Sequence, residues 1–210
     1  MSARVTAVNV LDIEQFLAEQ PATVRAAARI AINQTATRKA VPRFRQSMAE
    51  EVNFPKGYLN DPSRFGVTKQ ARDDDLEAAI TARFRPTSLA RFAEGSEEGA
   101  RRTGGVNVKV DRGGGARRIN RAFFVRLRRG GDTSDGFNLG LAIRLKPGET
   151  LRGRKKGATG VRLAEDLYLL YGPSVDQVFR EASVAESPAV ADDLQTEFVR
   201  QYVRLTGAAK

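Results

Sequence analysis

Cysteine and histidine are both missing from this 210-residue chain, and each absence removes whole chemistries. Without cysteine there are no disulfides, thiolate metal sites or thiol nucleophiles. Without histidine there is no imidazole ligand, no Ser/His/Asp triad and no general base of the commonest kind. Long apolar runs are missing too. Stretches such as Leu167 to Tyr171 and Ala122 to Val125 fall far short of the roughly 20 residues that span a bilayer. The opening residues, MSARVTAVNV, lack the charged and apolar regions of a signal peptide. The expectation is a soluble protein made in a cytoplasm, with no catalytic residues, no metal, no cofactor and no membrane partner.

What is present suffices for a core. Apolar residues make up 41% of the chain, 11 of them Phe, and a chain of this length buries roughly 70% of its unfolded surface without staples. One composition regime runs throughout and no internal repeat appears, so the expectation is a single α+β domain over 1–210. Its parts are an N-terminal helical region (12–54), a β-rich region with basic loops (76–171) and C-terminal helices (174–207).

Charge is unevenly placed. The net charge is +10, yet residues 101–162 hold 17 Lys or Arg and 4 acids, while the rest of the chain carries 18 against 21. Arg101-Arg102, Arg117-Arg118, Arg128-Arg129 and Arg152-Gly-Arg154-Lys155-Lys156 all adjoin glycines, which marks loops rather than helix faces. One dibasic pair is an ordinary solvated loop; for four such clusters in a third of the chain, a phosphate-binding surface stands level with that reading. Arg128, Arg129, Arg152, Arg154, Lys155 and Lys156 are the candidate contacts to duplex DNA. Such a surface binds through counterion release and reads no bases.

Apolar and small residues at three-to-four spacing (Val24, Ala28, Ala31 or Ile32, Thr35) predict a long helix from near Pro21. Pro42 should kink or restart it before Phe44, Met48 and Val52 continue the stripe. Pro55, Gly57, Asn60, Asp61, Pro62 and Gly66 then predict a loop. Alternation over Leu76 to Phe84 and at Val106, Val108 and Val110 predicts half-buried antiparallel strands, with Glu94, Glu97 and Glu98 in the loop between them. Ile119 to Leu127 and Phe137 to Leu145 predict a second strand pair. The run Leu167 to Tyr171 is ambiguous between strand and helix, and Gly172-Pro173 should stop it. Ser174 with Gln177 fits a capping box for a short helix to about Ala182. Ser187-Pro188 signals a further helix, with Val190, Leu194, Phe198, Tyr202 and Leu205 on one face, Asp192 and Asp193 in its first turn, and Gly207 closing it.

Three patterns could hide chemistry. Asp73-Asp74-Asp75 offers carboxylates for Mg²⁺, but adjacent side chains diverge and a metal site gathers acids from several elements, so a polar turn ahead of a strand at Leu76 is the simpler reading. Gly113-Gly114-Gly115 and Gly153-Arg154-Lys155-Lys156-Gly157 lack the glycine spacing of a nucleotide loop. Phe123-Phe124-Val125-Arg126 and Arg43-Phe44-Arg45 put aromatic beside basic residues, as in single-strand binders, although such Phe residues more simply fill a core or pack on a neighbour.

Leu167-Tyr-Leu-Leu-Tyr-Gly-Pro-Ser-Val-Asp-Gln-Val-Phe179 resembles the C-terminal hallmark of the minor tail protein Z family of tailed bacteriophages. Its core is Tyr171-Gly172-Pro173-Ser174-Val175. Arg118-Ile119-Asn120-Arg121-Ala122-Phe123-Phe124 is similar to the segment where that family enters a strand, and the Arg-bearing, Ala-rich helix at 21–45, with Asn33 to Arg38, is similar to its first helix.

The resemblance implies a structural virion protein that completes the tail at or near the head-to-tail junction, assembled in the host cytoplasm. It implies a mainly antiparallel sheet flanked by helices, as in phage neck and tail-terminator proteins. It also implies a homo-oligomeric ring, of six subunits rather than twelve, that meets other neck, portal-adaptor or tail proteins. Tyr171, Gly172, Pro173, Ser174, Val175 and Phe179 would then form the structural or subunit-contact motif. The runner-up is a basic, non-specific nucleic-acid-binding protein of the cell.

Overall fold

A computed structural model describes residues 22–95, 104–127, 139–149, 151 and 160–207. The fold is α+β, built from an N-terminal helical segment, antiparallel sheets and a long C-terminal helix. It divides into two compact units, neither continuous in sequence: residues 1–48, 57–84 and 176–210 form the first, and residues 49–56 and 85–175 the second.

The first unit begins with α1 (Ala22–Thr35), whose buried face is made of small residues, Ala27, Ala28, Ala31 and Thr35. A π-helical turn (Ala36–Ala40) links it to α2 (Val41–Glu51). The expected break at Pro42 therefore takes a specific form. Proline has no N–H to donate and crowds the carbonyl four residues back, and one widened turn, with the Val41 N–H reaching the Ala36 carbonyl, absorbs both defects. Beyond it Phe44 and Met48 are buried as the spacing predicts.

Residues 55–66, read as a loop, hold a short 3₁₀ turn (Tyr58–Asn60) and the start of β1 (Phe65–Lys69). β1 pairs antiparallel with β2 (Ala79–Ala82) in a two-stranded sheet, Phe65 opposite Ala82. The expected pairing of this region with the valines at 106–110 is thereby replaced. Gly66 hid the strand, because a glycine after Pro62 reads as a turn.

Phe44, Phe65 and Phe179 form the aromatic centre of this unit, Phe179 lying 5.3 Å from one ring and 5.2 Å from the other. Beside it Arg64, only 1% exposed, lies over the Tyr58 ring with its guanidinium carbon 4.2 Å from the centroid. It also donates to the Tyr58 carbonyl and lies 3.5 Å from Asp61. A buried arginine needs such a set of partners to offset its lost hydration.

The second unit contains two antiparallel sheets. β4 (Ala93–Glu94), β5 (Val106–Val108) and β6 (Arg117–Ile119) make the smaller, with Val106 opposite Ile119. The larger has the order β3 (Pro86–Ser88), β10 (Leu167–Ser174), β8 (Leu139–Arg144), β7 (Ala122–Arg126), with β9 (Gly160–Arg162) also on β10. The predicted pairing of the 119–127 and 137–145 segments is found as β7 on β8, Phe124 opposite Leu141. Ile119 belongs instead to β6, and Arg121, with a φ of 66°, turns the chain between the two strands. In β8 both faces are covered from Gly140 to Ile143, so the expected half-buried alternation is absent there. Among the described residues the single expected sheet is thus three sheets.

Candidate functional site

The residues that carry the phage resemblance occupy the junction of β10 with α3 (Val175–Thr206). The run from Leu167 to Tyr171 is strand. Tyr168, Leu169 and Leu170 pair with β8 and also with β9; Leu169 and Leu170, which point to opposite faces, are both buried, and a strand covered on both faces reads as continuous apolar sequence rather than alternation. Gly172-Pro173 does not stop it. β10 continues to Ser174 along β3, with Tyr171 opposite Ser88 and Ser174 opposite Pro86, and the register shifts between those two pairs. Pro173 lies inside that irregularity, where a missing N–H breaks no regular ladder.

Gly172 lies against the 3₁₀ turn Leu89–Phe92: a Cβ there would come within 3.2 Å of Leu89 Cδ2 and of Phe92 Cε2. Its φ is not in the left-handed region, so closeness of packing, not backbone freedom, is what favours a small residue there. Ser174 and Val175 are buried at 2% and 0% exposure. Tyr171 and Pro173 are half-buried, which leaves these two as the motif side chains open to a neighbour. Phe179 is fully buried in the first unit's aromatic centre. The motif therefore combines a packed strand end with the first turns of a helix.

That helix differs from the expectation of two. α3 runs unbroken for 32 residues with Pro188 inside it. Ser187, read as a cap, instead turns its hydroxyl back to the Ser183 carbonyl, a bond that serine makes within helices. Asp192 and Asp193 are accordingly mid-helix and not in a first turn. Asp193 accepts from Arg43 at 3.0 Å, while the acid of the true first turn is Asp176, 1% exposed and 2.9 Å from Arg180. Gly207 does close the helix, with a φ of 67°. The predicted apolar face from Val190 to Leu205 is only partly covered, since Tyr202 and Leu205 are 39% and 40% exposed.

The six basic residues chosen as DNA contacts, Arg128, Arg129, Arg152, Arg154, Lys155 and Lys156, lie outside the described residues, as do Arg101 and Arg102. Arg117 and Arg118 are exposed on β6, an outer strand of its sheet, and Arg112 is exposed in the loop before it. Arg118 also donates to the Gly104 carbonyl. Arg121 is tied to Glu149, which holds the Glu149 carboxyl below its ordinary range and the guanidinium above its own. Phe44 is buried and takes no part in a basic surface. Phe123 and Phe124 are both half-buried on β7, so neither is the expected fully buried core residue.

Asp73-Asp74-Asp75 forms a turn, as expected, closed by mutual backbone bonds between Arg72 and Asp75. Strand β2 begins only at Ala79. The turn borders a polar cleft of about 690 Å³ that the sequence did not signal. Asn33 fixes its floor by donating to the Ala71 carbonyl and accepting from the Ala71 N–H. Along it Arg29 pairs with Asp73 at 2.9 Å, and Lys69 with Asp75 at 2.7 Å and with Glu77 at 3.0 Å. Hydrogen bonds to Asp75 and Glu77 hold the Lys69 ammonium above the usual lysine range, which keeps it a cation rather than a base. Among the described residues no three metal-ligating side chains are grouped to hold an ion, and no helix is long and apolar enough to cross a membrane.

The chain matches no protein-family model, and no curated protein and no solved structure is significantly similar to it.

Proposed function

We propose that this chain is a structural component of a tailed-phage virion, a ring-forming tail-completion protein at or near the head-to-tail junction. One observation carries the reading: Tyr171-Gly172-Pro173-Ser174-Val175, the segment resembling the minor tail protein Z hallmark, stands where a strand paired with three others turns directly into a 32-residue helix. A motif whose glycine touches two core side chains, and whose serine and valine are buried, is used for shape rather than for chemistry. Shape is what subunits of a closed assembly must share. The experiment is complementation followed by electron microscopy. A phage lacking the protein packages DNA and builds most tail parts, but yields particles that are unjoined, or joined and non-infectious. Fully infectious null particles, or heads that never fill, would place the function elsewhere.

A second reading, a basic non-specific nucleic-acid-binding protein, is favoured by exposed Arg112, Arg117 and Arg118 and by the excess charge of residues 101–162. Company separates the two. A ring protein stays with particles in high salt through protein contacts, whereas a simple DNA binder elutes.

A further inference from the structure

Within the second unit, Lys146-Pro147-Gly148-Glu149 forms a type II turn. The Glu149 N–H donates to the Lys146 carbonyl, the proline ring fixes the first corner, and Gly148, at a φ of 79°, takes the second. This turn sets the Glu149 carboxylate in place. One of its oxygens accepts from the Lys146 N–H and the other from Arg121 Nη2. Arg121 precedes β7 and the turn follows β8, and because Ala122 lies opposite Ile143 both come to the same end of that strand pair. Arg117 stands exposed on β6, shortly before Arg121, and the exposed Lys146 ammonium also acts on the Glu149 carboxylate.

Two features set this pair apart. Residues 101–162 hold 17 bases and only four acids, Asp111, Asp132, Asp135 and Glu149, so a carboxylate seated among these arginines is a rarity. Arg121, at 66°, is also the one non-glycine residue of positive φ among the described residues. Glycine or asparagine takes that conformation more readily, and strain kept at a position points to a use for its side chain.

We infer that the Arg121 guanidinium, the Lys146 N–H and the Lys146 ammonium form a seat for a nucleic-acid phosphate, and that Glu149 fills it as an internal stand-in. Guanidinium and backbone N–H groups serve carboxylate and phosphate oxygens alike. Arg121, and then the Lys146 N–H, hold the Glu149 carboxyl below its ordinary range, so the seat's preference for negative charge is read on the very group that occupies it. Arg121 and Glu149 are 44% and 37% exposed, which leaves the seat within reach of a ligand. Filled by Glu149, it makes the grip of the basic surface one phosphate contact weaker than the same surface could achieve, and a weaker grip is a more reversible one.

The inference rests on the second reading above, contact with nucleic acid, and the experiment separates the two. The probe is a mixed-sequence DNA duplex, titrated with each purified full-length variant by fluorescence anisotropy over a range of salt. Glu149→Gln keeps an oxygen for the Lys146 N–H, and so keeps the turn, while its charge is lost. It should steepen the fall of log affinity with log salt by about 0.9, which raises affinity about tenfold at roughly 50 mM salt and about fourfold at roughly 200 mM. Adding Arg121→Asn, a residue suited to the positive φ, should cancel that gain. Asp111→Asn removes the same charge from the same segment and should change the slope little. Inorganic phosphate at a few millimolar and constant ionic strength should leave the gain in place, since a free anion has no neighbouring phosphates for Arg117 to hold. DNA binding whose slope Glu149→Gln leaves unchanged, a gain that survives Arg121→Asn, or an equal gain from Asp111→Asn overturns the seat and leaves the nucleic-acid reading standing. Loss of the gain in dilute phosphate overturns its assignment to nucleic acid and makes it a site for a free anion. Failure of both the wild type and Glu149→Gln to bind the duplex overturns the seat and the reading together.

Discussion

At position 172 an added methyl group would lie 3.2 Å from Leu89 Cδ2 and from Phe92 Cε2, so the two core neighbours must give way by a few tenths of an ångström. Gly172→Ala should therefore cost little, and Gly172→Val, with two more methyls in the same space, about 1–3 kcal/mol by overpacking. Denaturant midpoints of the two variants check this, and equal midpoints would mean the site has slack. Gly105 is the contrasting case. Its φ is +88°, and its Cβ would stand 2.9 Å from the Ile119 carbonyl oxygen, a backbone atom that cannot swing aside. Gly105→Ala should lose about 2 kcal/mol or more, from strain and clash together, and a thermal melt within a degree of wild type would refute it. The sequence made Gly172 legible as a special position, though for the wrong reason, and left Gly105 silent. Closeness of a distant backbone is a tertiary fact that no local pattern records. Phe44 and Phe179 were readable as large apolar residues, but their meeting edge to face at 5.3 Å joins positions far apart in the chain.

Elements were legible where periodicity and burial agree. α1, the Pro42 break, the β7 and β8 pair and the Gly207 stop all follow from spacing and from what proline and glycine can do. Legibility failed where one signal has two meanings. Ser187-Pro188 is a good helix start, yet tertiary packing carries α3 straight through it. Gly172-Pro173 is a good strand stop, yet a register irregularity accommodates it. The pairing that holds the middle of α3 to α2, Arg43 with Asp193 at 3.0 Å, explains why Asp193 tolerates mid-helix.

Further along α3, Glu197 accepts from Arg200 Nε at 3.0 Å and Nη2 at 2.6 Å. Arg200, and then Gln201, hold its carboxyl below the ordinary carboxylate range against the opposing effect of burial. A carboxyl depressed in the folded state stabilises fully above its unfolded value near 4.3 and loses that contribution as pH falls through the folded value. Arg200 is 60% exposed, so screening limits the pair to about 0.5 kcal/mol. Glu197→Gln should be less stable than wild type by about that much at pH 7, and the gap should close below pH ~4. Denaturation at both pH values measures it; a gap that persists unchanged in acid would assign the loss to packing.

For the whole molecule the deciding quantity is where the positive charge goes. Residues outside 101–162 carry slightly more acid than base, so the net +10 comes from that one segment. Four of its described arginines show the contrast that matters. Arg121 and Arg144 are committed to Glu149 and Asp166 at 2.5 Å and 2.8 Å, while Arg112 and Arg117 stand exposed in and beside β6. Cations already paired with a carboxylate bring their own counterion and release little on meeting phosphate, however exposed they are; those without one release a full share. Duplex DNA should therefore bind the purified protein with no sequence preference, and the logarithm of affinity should fall linearly with the logarithm of salt by about 0.9 per phosphate contact. Replacing Arg112 and Arg117 together by Gln should lower that slope by up to about 2, replacing Arg152, Arg154, Lys155 and Lys156 by up to about 4, and replacing Arg144 by close to nothing. Fluorescence anisotropy between 50 and 200 mM salt, roughly the window in which such contacts are lost, reads all three. If neither set changes the slope, the basic segment faces protein rather than nucleic acid. If only the second set does, the phosphate track runs through residues 152–156 and leaves β6 free for another subunit. An unspecific, salt-sensitive grip suits a ring around a genome that must later leave, because a site that read bases would hold the DNA at one place.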